Sequence, residues 1–379
     1  MIPALFSFIF LAGVCGFSQT VMPLEFSLHV PTAEVMVEGR PATMVIDTAA
    51  SITVLDSAFA DGVSVASKSV KVKGAGREAN ARRLDRIRLS HRGEQGLDVP
   101  AIAISLELLS GQMGRRIDGI IGAHFLQRYI VEFDYQRKVA SLHESNGFKP
   151  PADWRMTTIR LAEGRPMVEG LLIGTGSKTY KGDFLLDTGS NYGVTLLPEF
   201  AERHMLPPKG SPMLEDPSLG IAGPSPAVVF PMGGFQLGEL RFSRPYVRAR
   251  QGGRGENGGL IGGALLRQLR FAIDYPGKRL YYTQSAEYGR PFALELAGVR
   301  VSWYGVDYSQ ARVIEVLPGR AGAKAGLQAG DEIVEPRLSA NQLAEHLRRP
   351  NSTTSLVVKR GGQTLKLELQ LKPLLSVEN

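Results

Sequence analysis

One short pattern occurs twice in this chain, 140 residues apart. The first copy reads Met44-Val45-Ile46-Asp47-Thr48-Ala49-Ala50-Ser51 and the second Phe184-Leu185-Leu186-Asp187-Thr188-Gly189-Ser190-Asn191. Two further landmarks keep the same spacing. Ile120-Ile121-Gly122 is matched by Leu260-Ile261-Gly262, and Phe133-Asp134-Tyr135 by Ile273-Asp274-Tyr275. Three landmarks at one offset mark a duplicated unit. Each unit runs an apolar strand into a carboxylate at its end, so the duplication brings two carboxylates to one site.

The rest of the chain fits a β-rich duplication. Glycine is abundant at 43 residues, with 23 prolines, so the chain turns often and short strands are expected over long helices. Residues 22–48 read as a hairpin. Ala33 to Glu38 turns at Gly39-Arg40-Pro41 and returns through Ala42–Ile46 to Asp47. Val168 to Ile173 and Asp183 to Leu186 repeat that hairpin before Asp187. Ile120 to Leu126 and Leu260 to Leu266 read as a strand leading into a short helix. Asp134 and Asp274 each sit beside Tyr in an apparent hairpin turn, and they read as turn residues.

Hydrophobic residues make up 43% of the chain and charged residues 21%, which excludes a disordered chain. The net charge is +7. Arg77, Arg82, Arg83, Arg86, Arg88 and Arg92 fall in one segment without interleaved aromatics, which reads as a solvated face and not a nucleic-acid surface. The six histidines show no metal-ligand spacing, and no metal or cofactor is expected. There is neither a Gly-x-Ser-x-Gly elbow nor a P-loop.

Residues 1–18 are apolar and then small, too short to span a bilayer and of export-signal length. Val14 before Cys15 fits lipid attachment poorly, so cleavage before Gln19 is expected, with no membrane anchor afterwards. Cys15 is the only cysteine, so the mature chain has no disulfide. A bacterial periplasmic or secreted location is the expectation.

Two carboxylates a few ångströms apart cannot both ionise near neutral pH, because repulsion raises one pKa and lowers the other. The pair shares a proton. A water between them loses a proton to the ionised Asp while the protonated Asp bonds the substrate carbonyl, which is hydrolysis without a covalent intermediate. The titration belongs to the pair, so neither Asp47 nor Asp187 is assigned acid or base in advance.

These residues resemble the aspartic proteases, nearer the retropepsin-like bacterial branch than full pepsins. Over roughly residues 22–285, the resemblance implies two β-barrel lobes in one chain. It makes Asp47 and Asp187 the catalytic residues, supported by Thr48, Ala49, Thr188, Gly189 and Ser190. It places Ile121, Gly122, Ile261 and Gly262 on the strands that thread beside each aspartate in a psi-shaped loop. Candidate flap residues are Gly74, Ala75 and Gly76 in the first lobe, with Gly220 and Gly223 in the second. The chain departs from the family pattern at Ala49, where Gly is usual. A methyl there either crowds the turn, distorts Asp47 or is tolerated. The alternative reading is a periplasmic peptide-binding protein on a degenerate protease fold.

The remainder differs. Ala321-Gly322-Ala323-Lys324-Ala325-Gly326-Leu327, followed by Gly330-Asp331 and Ile333, resembles the signature of bacterial PDZ domains. That resemblance implies a helix over Ala323–Leu327 and a groove that binds peptide C-termini by strand addition. The groove would be formed by Ala297, Gly298 and Val299 on one side and Leu343 and His346 on the other. The expected organisation is a mainly β chain: signal peptide 1–18, lobes 19–149 and 150–288, and a small α+β domain 289–379. A peptide or protein substrate is the expected partner. One chain holds both aspartates, so a monomer suffices.

Overall fold

A computed structural model describes residues 19–63, 66–73, 78–91, 96–176, 178–220, 223–252, 255 and 257–375. The expected mainly β class holds. Among the described residues strands dominate, no helix exceeds seven residues, and no helix is long and apolar enough to cross a membrane.

In the first copy, strand Val30–Val37 pairs antiparallel with Arg40–Ile46, Val37 facing Arg40. Arg40–Ile46 then pairs parallel with Gly119–Ile121 (Ile46 opposite Ile121). Gly119–Ile121 in turn pairs antiparallel with Thr53–Asp56. Met44, Val45, Ile46, Ile120 and Ile121 are all buried. That is why both segments read as unbroken apolar runs: a central strand is covered on both faces. The second copy repeats the pattern. Arg165–Ile173 pairs with Thr179–Asp187, which runs parallel to Gly259–Gly262 with Asp187 opposite Gly262. Val194–Leu196 closes the set antiparallel to Gly259–Gly262.

Strands Ile130–Asp134 and Leu269–Asp274 join the copies antiparallel. Ile130 faces Asp274, Glu132 faces Ala272, and Asp134 faces Arg270. Adding or subtracting the 140-residue offset exchanges the first and last of these pairs, so the ladder is self-reciprocal, as at a two-fold interface. Phe133 and Phe271 stack within it at 5.1 Å. Glu132, buried on the axis, takes hydrogen bonds from Arg270 (2.6 Å) and His143 (3.1 Å). Asp134 and Asp274 cap their own turns by accepting from the amides of Gln136, Arg137 and Gly277.

Residues beyond 289 build a separate five-stranded sheet from Val299–Tyr304, Gln310–Val316, Glu332–Glu335, Ser352–Arg360 and Gln363–Leu371, in that spatial order. It has its own core, which includes Trp303, Val313, Leu343, Leu356, Val358 and Leu369. Its first helix spans Ala321–Lys324, starting two residues before and ending three residues before the expected Ala323–Leu327. Gly326 turns the chain with φ +86°, and buried Leu327 anchors the segment after the helix. Asp331 is buried against Arg360, whose Nε and Nη2 donate at 2.6 and 2.7 Å. This unit touches both copies. Asn341 exchanges hydrogen bonds of 2.6 Å with the backbone of Leu28 and Phe26, and Arg320 donates to the Glu215 carbonyl at 2.8 Å.

Candidate active site

Each aspartate sits where its strand ends, beside the parallel strand that follows it in the psi-shaped arrangement. The Asp47 amide donates to the Ile121 carbonyl at 3.1 Å. Gly122 and Gly262 are needed for space. A Cβ on Gly122 would lie 2.5 Å from the Ile52 carbonyl oxygen, and one on Gly262 would lie 2.4 Å from that of Tyr192. The strand passes under the aspartate loop at backbone contact distance in both copies.

Thr48 and Thr188 lock the two loops together. The Thr48 amide donates to Thr188 Oγ1 and the Thr188 amide to Thr48 Oγ1, both at 3.1 Å. Thr48 Oγ1 donates to the Leu186 carbonyl and Thr188 Oγ1 to the Ile46 carbonyl, both at 2.6 Å. Both threonines are 0% exposed, so no water competes for these bonds. Each hydroxyl reaches the residue before the opposite aspartate, which fixes the two carboxylates relative to one another.

Asp187 is buried and Asp47 beside it is partly buried. Asp47 Oδ1 accepts from the amides of Ala49 and Ala50 at 2.8 and 3.1 Å. The Asp187 carboxylate takes the corresponding amides of Gly189 and Ser190. The Ser190 hydroxyl is used elsewhere, accepting from the Tyr192 amide at 3.4 Å. Burial raises the pKa of Asp47, opposed by its two amides and by Arg165. Burial, followed by the charge of Asp47, pushes Asp187 up to about 8. The pair therefore holds a proton through neutral pH.

The two loops differ in one atom that matters. A Cβ on Gly189 would stand 2.5 Å from the carboxyl carbon of Asp47. Ala49 carries such a Cβ, and it packs against an apolar patch of Met167, Leu185 and Leu260. The φ of Ala49 is not positive, so the methyl imposes no backbone strain. Of the three outcomes left open for Ala49, the geometry is that of tolerance.

Four further residues lie near the pair. Arg165 lies close enough to Asp47, and Arg250 to Asp187, for each cation to lower the carboxylate it faces. Neither arginine is repeated at the 140-residue offset, so the duplication does not reveal them. Partly buried Tyr135 and buried Tyr275 sit crosswise: Asp187 acts on Tyr135 and Asp47 on Tyr275. These two tyrosines do share the offset, and that was the signal available. Both hydroxyls are buried without a hydrogen-bond partner among the described residues.

Flap candidates Gly74, Ala75 and Gly76 lie outside the described residues. The strands on either side pair up to Lys73 opposite Glu78. Gly220 and Gly223 face each other at the end of a small hairpin, Ser218–Gly220 with Gly223–Ser225. Among the described residues, no group of three or more His, Cys, Asp or Glu side chains could hold a metal ion.

A cavity of about 530 Å³ opens between the C-terminal unit and both copies, Leu28, His29 and Gln112 of the first copy among its lining, and neither aspartate lines it. Gly298, Val299 and Leu343 line it. Ala297 is buried and contributes its backbone amide, which donates to Glu295. His346 does not join them. Its Nε2 contacts the Thr354 hydroxyl on strand Ser352–Arg360, which turns the ring toward the sheet and away from the cavity.

Residues 33–125 match the family model described as aspartyl protease. The match lies within the first copy and spans Asp47, Thr48, Ile121 and Gly122. A search of curated proteins finds no match to the chain. The first copy thus carries an aspartyl protease domain, and protease-type chemistry is the function it supports.

Proposed function

We propose that this chain is an exported aspartic endopeptidase in which Asp47 and Asp187 activate one water, with a C-terminal PDZ domain that binds peptide or protein C-termini. The observation that carries the reading is the crossed hydrogen bonding of Thr48 and Thr188, which seats the Asp47 and Asp187 loops against each other in a fixed geometry. A peptide lies extended between the two copies. The ionised carboxylate takes a proton from the water as it attacks the scissile carbonyl, and the protonated one donates to the developing oxyanion. The diol intermediate collapses as a proton passes to the leaving nitrogen, and the dyad returns to its shared-proton state. Burial supports this chemistry because it holds a proton on the pair at neutral pH. Export rests on the apolar segment 1–18, and the PDZ reading on the Gly330-Asp331 motif and the place of strand Val299–Tyr304 at the edge of its sheet.

The test is cleavage of a diverse peptide pool by residues 19–379 from about pH 4 to pH 8, the range over which a coupled carboxylate pair works. Asp47→Asn and Asp187→Asn proteins run alongside, and pepstatin serves as a further control. Cleavage by the wild type that both variants lose is the expected result. Absence of cleavage at every pH, with peptides still bound, overturns the catalytic reading in favour of a peptide-binding protein.

A further inference from the structure

Strand Val299–Tyr304 is the edge of its sheet, and helix Ala340–His346 supplies Leu343 to the cavity beside it. An extended peptide added to such an edge ends with its carboxylate on backbone amides of the preceding loop. Those amides are already taken. The Ala297 amide donates to Glu295 Oε1 and the Gly298 amide to Glu295 Oε2, each at 2.7 Å. Gly298 has φ +68°, a conformation that turns successive amides into an anion-binding concavity. The carboxylate occupying it belongs to the chain.

The surroundings suit an exchangeable occupant. Burial pushes Glu295 up to about 7, so its carboxylate is held against a desolvation cost. The amides and Arg320 oppose that shift, and Asp216 adds to it. Arg348 lines the same cavity and feels the charge of Glu295. Its Nε is buried with no hydrogen-bond partner among the described residues, so it is a ready receiver for a displaced carboxylate. The opposite end of the groove is closed by helix Glu107–Met113 of the first copy and the glycine after it. A Cβ on Gly111 would stand 2.3 Å from Ser302 Oγ, and one on Gly114 would stand 3.1 Å from Ala340 Cβ. That close approach at Ser302 and Ala340 limits a ligand on the strand to its last few residues. Val299, Leu343 and Leu347 make the lining there apolar.

We infer that Glu295 is a built-in competitor for the carboxylate seat of this groove: a short peptide with an apolar last residue and a free C-terminus binds by displacing the Glu295 carboxylate from the amides of Ala297 and Gly298. This rests on the reading of the C-terminal unit as a peptide C-terminus module. Two carboxylates cannot share the same two donors, so Glu295 sets the affinity.

The experiment is calorimetric titration of residues 19–379, as wild type and as Glu295→Gln, with N-acetyl-trialanyl-valine as the free acid and as the C-terminal amide. Glutamine keeps one acceptor for the loop amides, so the fold is supported, while it frees the other amide and removes the repelling charge. Glu295→Ala, checked by circular dichroism, frees both. The expected result is free-acid binding about ten-fold tighter in Glu295→Gln than in wild type, tighter again in Glu295→Ala, and far weaker for the amide in every protein. Equal free-acid affinity in all three proteins, with the amide still excluded, overturns the competitor role and leaves the groove reading standing. Absence of any preference for the free acid in all three overturns the groove reading, and the competitor role with it.

Discussion

Gly189 lies directly against Asp47: a Cβ there would stand 2.5 Å from the carboxyl carbon and from Oδ2. The equivalent position in the other loop, Ala49, carries a Cβ and directs it into the apolar patch of Met167, Leu185 and Leu260. The small residue after Asp-Thr is therefore demanded for space at one aspartate and tolerated as alanine at the other.

Gly189→Ala is expected to push Asp47 off the amides of Ala49 and Ala50 and to lower the cleavage rate about 100-fold or more, the scale of an ångström misplacement of a reacting group. Ala49→Gly is expected to leave the rate near wild type and to cost about 1 kcal/mol of stability through the freer unfolded chain. Peptide cleavage rates and urea unfolding of both variants check this. An Ala49→Gly protein far more active than wild type would contradict it.

Removing the Thr188 hydroxyl strips the Thr48 amide and the Ile46 carbonyl of their partners in a fully buried place. Thr188→Ala is expected to destabilise the protein by about 1–3 kcal/mol for each group left unpaired, and Thr188→Ser to restore most of it. Chemical unfolding curves distinguish the two.

The raised pKa of Asp187 gives a signed pH dependence. The folded state keeps a proton that the unfolded chain releases in the ordinary aspartate range, so the folded state loses stability as pH rises from that range to about 8. Asp187→Asn cannot ionise and lacks this loss. The melting temperature of the wild type minus that of Asp187→Asn is expected to fall steadily across that interval. Catalysis is expected to decline as pH passes through about 8, where the shared proton leaves.

Asp331 shows the opposite sign. Burial alone would raise its pKa, but hydrogen bonds from Arg360 and from the Gln328 amide bring it below its ordinary value. Its contribution to stability is present above the ordinary aspartate pKa and is lost as pH falls through the lower folded value. Asp331→Asn is expected to cost about 1.5–3 kcal/mol, the range for hydrogen bonds to charged groups. Far-UV melts of the variant at neutral pH measure the loss.

Repeats, apolar runs and turn residues are properties of short stretches of chain, so the sequence alone determined the duplication, the mainly β class, the two Asp-Thr strand ends and the apolar strands beside them. The spacing of Asp134 and Asp274 next to Tyr was enough to read them as turn residues, because the side chains that cap such turns act within three positions. What lies across the fold was decided only in three dimensions. The arginines at positions 165 and 250, the turn of His346 toward Thr354 and the contact of Gly189 with Asp47 join residues that no local pattern relates, and although Thr48 and Thr188 share the 140-residue offset, their crossed bonds form only because the fold brings the two loops together. Even Glu295, two and three residues from the amides it occupies, gained its meaning from tertiary structure. The cavity that it lines arises where distant segments of the chain meet, and only that meeting fixes which direction a side chain takes.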